Sequence, residues 1–138
     1  MGEPKFPLGV DLMDADHARI EEMLAGAPAV GDGELAGYLA RCRDEIAGHF
    51  AREEELMRHA GVPVLACHIA QHRGLIAAID TMLTDAPDTI RLRLFIERDL
   101  PNLVMAHIAS VDQVSARFIK GELPAAMTDR LRLPEEAL

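Results

Sequence analysis

Apolar residues recur along this chain with the spacing of an α-helix, in four stretches that segments rich in glycine and proline separate. Few segments alternate apolar and polar residues as a half-buried strand does. Four amphipathic helices joined by short connections favour an all-α fold, namely an antiparallel up-down-up-down four-helix bundle. The predicted helices cover residues 14–25, 33–60, 63–84 and 87–120.

The residues that flank these stretches are those that commonly begin and end helices. Asp32 and Asp85 are candidate N-caps for the second and fourth helices, and Gly61 is suited to end the second. Pro63 fits the first turn of the third helix, where a missing N–H loses no partner. Pro101 falls inside the fourth helix, which it should therefore kink or split.

The length of the chain predicts a single domain with two short extensions. A chain of 138 residues can bury one hydrophobic core and is too short for two comfortable ones. We expect the bundle to occupy residues 14–120, preceded by an N-terminal arm over residues 1–13. Residues 121–138, whose last positions include proline and glutamate, are expected to form a short C-terminal tail.

Composition and charge argue against several classes of function. The 14 basic and 23 acidic residues give a net charge of −9, and no basic stripe could neutralise phosphates, so nucleic-acid binding is not expected. No apolar run approaches the roughly 18 to 20 residues that a membrane-spanning helix needs. The N-terminus lacks the apolar core of a secretory signal, and two cysteines give no disulfide framework, so a cytoplasmic protein is expected.

Five histidines and two carboxylates fall on the apolar faces of the predicted helices. A spacing of four residues places His49 with Glu53, and likewise His68 with His72, on one helix face. Asp112 follows His107 by five residues, which is about 140° out of line in a regular α-helix. A π-bulge, a kink or a bent carboxylate must bring Asp112 back. The complete set is His17, His49, Glu53, His68, His72, His107 and Asp112.

These inward polar side chains favour a shared metal centre. Any single histidine is as easily a core residue whose nitrogens are hydrogen bonded. Each of the seven groups would cost about 2–7 kcal/mol if it were buried without a partner. It is improbable that all seven have separate hydrogen-bond partners. Imidazole with carboxylate suits Fe, Zn, Mn or Co, and the lack of clustered thiolates argues against structural zinc. Two ions bridged by Glu53, Asp112 and one solvent oxygen would use all seven side chains. An ion with three histidines is then full, and an ion with two keeps one open position.

The order and spacing of these residues resemble the hemerythrin family in its bacterial single-domain form. The resemblance covers about residues 6–118 and is carried by Gly9-Val10-Asp11-Leu12-Met13-Asp14-Ala15-Asp16-His17, His49-Phe50-x-x-Glu53-Glu54, His68-x-x-x-His72 and His107-Ile108-x-x-x-Asp112. It implies a cofactor of two iron ions. By that likeness His68, His72 and His107 hold the coordinatively full iron, His17 and His49 hold the iron that meets O2, and Glu53 and Asp112 bridge them.

The resemblance also implies a function and a ligand pocket. Phe50, Leu103 and Val104 are expected to line the O2 pocket, since the last two lie one turn before His107. The leading hypothesis is reversible O2 binding for storage, delivery or buffering, in a protein that is not an enzyme. One alternative is a module that senses O2, redox state or NO, and another is a di-iron enzyme that acts on NO or peroxide. The sequence identifies no protein partner.

Overall fold

The chain is described here by a computed structural model over residues 2–123, and within that range it forms four helices and no β-strand. The first three are α1 (Asp11–Ala25), α2 (Leu35–Ala60) and α3 (Leu65–Asp85). The fourth, α4, runs over 89–119 as five consecutive helical segments. The prediction of a four-helix bundle is confirmed. Residues 124–138, most of the predicted tail, lie outside the described residues.

The N-terminal arm joins the bundle through Asp14. Helix α1 begins at Asp11, three residues before the predicted start. The Asp14 carboxylate accepts backbone N–H groups from Leu8 at 2.8 Å and Gly9 at 3.1 Å, so it anchors the end of the arm to the first turn of the helix. Position 14 therefore lies inside α1.

The ends of α2 and α3 agree with the sequence in part. Gly61 ends α2 in the left-handed conformation, with φ 67°, as predicted. Asp32 does not cap α2, because it opens a short 3-10 turn (Asp32–Glu34) and its carboxylate accepts Arg93 Nη2 at 2.6 Å. Asp85, the predicted cap of the fourth helix, is instead the last residue of α3.

Helix α4 contains two wide turns. Asp88 caps its start by accepting the backbone N–H of Arg91 at 2.8 Å. A π-turn (Phe95–Asp99) directly precedes the next α-helical segment, Leu100–His107, of which Pro101 is the second residue. The proline lacks an N–H and crowds the carbonyl one turn earlier, and a widened turn at that place accommodates both effects. The interruption predicted at Pro101 is thus a local change from α-helical to π-helical winding, just before the segment that contains the proline.

A second π-turn (Ile108–Asp112) follows, and the last α-helical segment is Gln113–Ile119. The core of the bundle lies between the four helices and includes Met13, Leu39, Ile46, Ile79, Ile96 and Leu100, all nearly inaccessible to solvent. Over residues 2–123, none of the helices combines the length and the apolar character that crossing a membrane would require.

Candidate metal centre

The structure brings together all seven polar side chains singled out in the sequence. Helix α1 supplies one histidine, α2 a histidine and a glutamate, α3 two histidines, and α4 a histidine and an aspartate. All seven are buried. They are His17, His49, Glu53, His68, His72, His107 and Asp112.

The Glu53 carboxylate presents one oxygen to each side of this cluster. Its Oε1 lies 2.7 Å from Nε2 of His68 and 3.1 Å from Nε2 of His72. Its Oε2 lies 3.0 Å from Nε2 of His49 and 3.8 Å from Nε2 of His17. Each oxygen of Glu53 therefore faces a different pair of histidines.

Asp112 divides its two oxygens in the same way. Its Oδ1 lies 2.7 Å from Nε2 of His68 and 3.0 Å from Nε2 of His107. Its Oδ2 lies 3.0 Å from Nε2 of His17. The two carboxylates thus lie between two sets of histidines.

The donor atoms form two groups, and within each group they all lie within 4.8 Å of one another. The first group has five side chains, the second has four, and both carboxylates belong to both groups. The histidines of the five-donor group are His68, His72 and His107, and those of the four-donor group are His17 and His49. Each group is compact enough to hold a metal ion.

The hydrogen-bonding state of these atoms tests whether a metal fits. Among the described residues, eight buried side-chain N and O atoms have no hydrogen-bond partner, and all belong to this cluster. Nε2 of His49 and Oε2 of Glu53 are 3.0 Å apart, yet neither makes a hydrogen bond. Buried polar atoms are nearly always hydrogen bonded, and an unpaired one costs about 1–3 kcal/mol. Close N and O atoms without hydrogen bonds fit a metal ion between them.

Three of the histidines are oriented by side chains outside the cluster. Nδ1 of His49 donates to Oδ2 of Asp16 at 3.0 Å, and Nδ1 of His72 donates to Oε2 of Glu54 at 2.8 Å. Nδ1 of His68 lies 2.7 Å from Oγ of Ser115. Such bonds fix the ring and leave Nε2 free to face the cluster.

Sequence reasoning found only part of this outer layer. The acidic run Glu53-Glu54-Glu55 indicates that Glu54 is either solvated or a partner of a histidine, and in the structure it is the partner of His72. Asp16 and Ser115 were missed as partners of His49 and His68, although Asp16 directly precedes His17. Their partners are 33 and 47 residues away in the chain, a distance at which local spacing gives no signal.

The second π-turn of α4 explains how Asp112 joins the cluster. A regular α-helix would place Asp112 about 140° away from His107. The π-turn (Ile108–Asp112) widens the helix over this interval, and Nε2 of His107 lies 3.0 Å from Oδ1 of Asp112. Of the three possibilities that the sequence left open, the π-bulge is the one found.

A small cavity of about 10 Å³ borders the cluster. This volume is about that of one water-sized molecule. Four of the lining residues are donors: His17, His49, His107 and Asp112. The remaining lining is apolar and consists of Ile20, Ile46, Phe50, Leu75, Val104 and Ile108. Of the three pocket residues expected from the sequence, Phe50 and Val104 are in this lining.

Leu103 is outside the cavity, so the expectation that it lines the pocket is wrong. Its side chain is 43% exposed and lies in a surface groove beside Gly74 and Ala78. Leu103 precedes His107 by four residues and Val104 precedes it by three, so the two lie about 100° apart around the helix, one to each side of that histidine. The bundle interior lies on the Val104 side.

The close approach of histidines and carboxylates shifts their pKa values. Burial opposes the charge of His17, but Asp112 and Glu53 outweigh it and raise the pKa of His17 to about 9. Against the same opposing burial, Asp112 and Glu53 raise the pKa of His68 to about 9. Burial lowers the pKa of His107. Burial alone would raise the carboxylate pKa values, yet the surrounding histidines hold the pKa of Glu53 and that of Asp112 well below the usual range.

The metal-free protein is therefore expected to lose stability as the pH rises from 6.5 to about 9. A histidine whose pKa is raised by folding stabilises the fold fully below its unfolded pKa, and the contribution is lost as the pH rises through the folded pKa. Thermal melts followed by circular dichroism in the presence of a chelator should give a Tm several degrees lower at pH 8.5 than at pH 6.5.

The exposed His59 supplies the control for this measurement. The His59→Gln variant should keep the pH dependence of the metal-free protein, whereas a variant with both His17→Gln and His68→Gln should lose most of it. A Tm that stays level or rises over this interval in the unaltered chain would contradict the expectation.

Comparisons with known proteins agree with this site. The family model described as "Hemerythrin HHE cation binding domain" matches residues 8–118. The chain is 32% identical over 124 residues to a bacteriohemerythrin of Stenotrophomonas maltophilia (strain R551-3), an alignment that covers 84% of this chain and 78% of that protein. No solved structure gives a significant match.

The matched region reaches into all four helices and contains every residue of the two donor groups. The family match spans most of the chain, and the relative is similar over most of its own length. The described residues of this chain form a buried cluster of imidazole and carboxylate donors that fits a metal ion. The chain therefore belongs to the hemerythrin family, whose members bind O2 through non-haem iron.

Proposed function

We propose that this protein is a non-haem di-iron protein that binds O2 reversibly at a centre of five histidines and two bridging carboxylates. One observation carries the proposal, namely that Glu53 and Asp112 each direct one oxygen toward each donor group. A carboxylate so placed suits a bridge between two ions. We assign iron to both positions because imidazole with carboxylate suits this metal and the family binds it.

The unequal donor groups support one open coordination position. The five-donor group includes His68, His72 and His107, and the four-donor group includes His17 and His49. With one additional oxygen shared by both ions, the first ion would have six donors and the second five. The second ion would then keep a position for a ligand, and the cavity is lined by both of its histidines.

The chain's own residues provide the setting for a small neutral ligand. The two irons, when bound, would supply the electrons that O2 accepts and the position at which it binds. Phe50 and Val104, with the other apolar side chains of the cavity, keep bulk water away from the cluster, and the cavity has room for only one small molecule. The oriented histidines hold their Nε2 atoms toward the cluster, so little rearrangement accompanies binding.

The cavity also supports binding in preference to catalysis. Apart from the donors themselves, its lining residues carry no titratable side chain that could deliver or remove a proton. We therefore propose storage, delivery or buffering of O2, in the cytoplasm, with O2 as the ligand and with no enzymatic turnover.

Anaerobic reduction of the iron-loaded protein, followed by exposure to air, tests the proposal. Expected results are about two irons per chain, by the donor count above, and a visible absorption band that appears in air and disappears on removal of O2. A colourless protein, or one with clearly less iron, would overturn it. Sustained consumption of NO or peroxide would favour an enzyme, and a protein complex that depends on the ligand would favour a sensor.

Val104→Phe is expected to block the cavity while both irons remain bound. Overpacking costs about 1–3 kcal/mol, so the affinity for O2 should fall about tenfold or more. Stopped-flow absorption measures this effect directly. Leu103→Phe is the matched control, since this neighbouring side chain is outside the cavity and should leave O2 binding unchanged. Equal effects of the two substitutions would contradict the assignment of the pocket.

A further inference from the structure

A chain of hydrogen bonds connects the cluster to the protein surface through Asp16. Nδ1 of His49 donates to Oδ2 of Asp16 at 3.0 Å. Nε of Arg52 donates to that same oxygen at 2.9 Å, and Nη2 of Arg52 donates to Oδ1 at 3.1 Å. Asp16 is buried, whereas the side chain of Arg52 is 44% exposed. The arginine is thus a surface residue with a direct contact to the partner of a proposed ligand.

The geometry couples Arg52 to His49 through one shared oxygen. A carboxylate that accepts a proton from Nδ1 makes the imidazole a stronger donor at Nε2. The planar guanidinium binds both oxygens of the carboxylate at once, which holds its position and draws electron density from it. Arg52 therefore both orients Asp16 and weakens the effect of Asp16 on His49.

The contact between Arg52 and Asp16 matters more for the four-donor group than the corresponding outer contacts do for the five-donor group. In the five-donor group, His68 and His72 each have an outer partner, Ser115 and Glu54 respectively. In the four-donor group, Nδ1 of His17 has no hydrogen-bond partner within the described chain. Outside control of this group therefore falls on Asp16 and on the residues that bind it.

A second arginine, Arg19, also contacts Asp16. Nη1 of Arg19 lies 3.3 Å from Oδ1 of Asp16 and 3.2 Å from Oε1 of Glu45. Arg19 thus approaches Oδ1 of Asp16, whereas His49 is bound to Oδ2. The same nitrogen of Arg19 also contacts the carboxylate of Glu45. Of the two arginines, only Arg52 donates to the oxygen bound by His49.

We propose that Arg52 is a positioning residue that acts through Asp16 to set how strongly His49 donates to the metal beside the cavity. The consequence is control of the balance between ferrous and ferric iron, and hence of the lifetime of the O2-bound form. This inference rests on the proposed function. It adds to that function an exposed residue which touches neither metal nor ligand.

The matched control is the Arg43–Asp80 pair. Nε and Nη2 of Arg43 donate to the two oxygens of Asp80 at 2.9 and 3.3 Å, and the Arg43 side chain is 35% exposed. Arg43 and Arg52 both lie on α2 and make the same type of forked contact. Among the described residues, no histidine donates a hydrogen bond to Asp80, so Arg43→Met removes a similar forked pair without reaching the cluster.

The experiment compares Arg52→Met, Arg52→Lys, Arg43→Met and Asp16→Asn in the full iron-loaded chain. Arg52→Met removes the arginine that donates to the Asp16 oxygen bound by His49, so the iron midpoint potential should fall and loss of the O2-bound form should be about tenfold faster. Asp16→Asn weakens the same bond, so the potential should rise. Arg52→Lys should restore part of the wild-type potential, and Arg43→Met should match wild type.

Opposite shifts of the midpoint potential distinguish an electronic effect on His49 from structural damage. A merely structural role would shift the potentials of Arg52→Met and Asp16→Asn in the same direction. Shifts of the same sign, or an Arg52→Met potential equal to wild type, would overturn the proposal. Release of cobalt to a chelator gives a readout that does not involve O2. Asp16→Asn should release one of two bound cobalt ions about 10–100-fold faster. If the wild-type protein binds iron but not O2, the proposed function fails, while the potentials still test Arg52 and cobalt release still tests the contact between Asp16 and His49.

Discussion

Replacement of Glu53 by alanine is expected to remove both metal ions, although only one side chain is lost. Oε1 of this residue faces the five-donor group and Oε2 faces the four-donor group, so each proposed ion loses a ligand. Loss of a partner in the outer layer typically weakens metal binding by about 10–100-fold, and loss of a direct ligand should exceed that range. Iron per chain should fall from about two to well below one.

Glu55→Ala provides the control for this substitution. Glu55 is on the same helix two residues further along and is 66% exposed, and within the described part of the chain it pairs only with the surface residues Arg58 and His59. Its variant should keep the full metal content, measured by elemental analysis after dialysis. An unchanged iron count in Glu53→Ala, or a loss of only one ion, would contradict the proposal that Glu53 bridges two metals.

Removal of the metal is expected to destabilise the fold strongly. An ion that binds only the folded chain stabilises it by about 4 kcal/mol when its free concentration exceeds Kd about a thousandfold. Without it, the buried donor atoms that lack hydrogen bonds keep their cost. At roughly 3–5 °C per kcal/mol for a chain of this size, loss of both ions should lower Tm by more than about 20 °C.

Thermal melts before and after chelation measure this effect, and readdition of ferrous iron under anaerobic conditions should reverse it. The Glu53→Ala variant should show almost no response to the chelator, because it has little metal to lose. A change of less than about 5 °C in the unaltered chain would show that hydrogen bonds and packing already satisfy the cluster.

The sequence predicted the bundle and its polar cluster because both depend on one periodicity. Histidine and carboxylate at intervals of four residues share a helix face, and the neighbouring apolar residues show that this face is buried. His49 with Glu53 and His68 with His72 follow this rule directly. Their burial and mutual contacts in the structure agree with it.

Other features depend on contacts between helices and could not be predicted from spacing. Leu103 and Val104 both lie about one helical turn before His107, and only the position of the neighbouring helices decides which one is buried. Asp32 had the right place for a cap, but an arginine more than sixty residues away binds its carboxylate. Asp16 and Ser115 likewise acquire their partners only when helices pack.

The wide turn between His107 and Asp112 has a consequence for protein engineering. Designed bundles are assembled from helices of uniform winding, in which residues five apart diverge by about 140°. A transplant of this centre onto such a scaffold should therefore carry its aspartate four positions after the histidine. Copying the natural interval unaltered would direct that carboxylate away from its ions, even with every ligand type preserved.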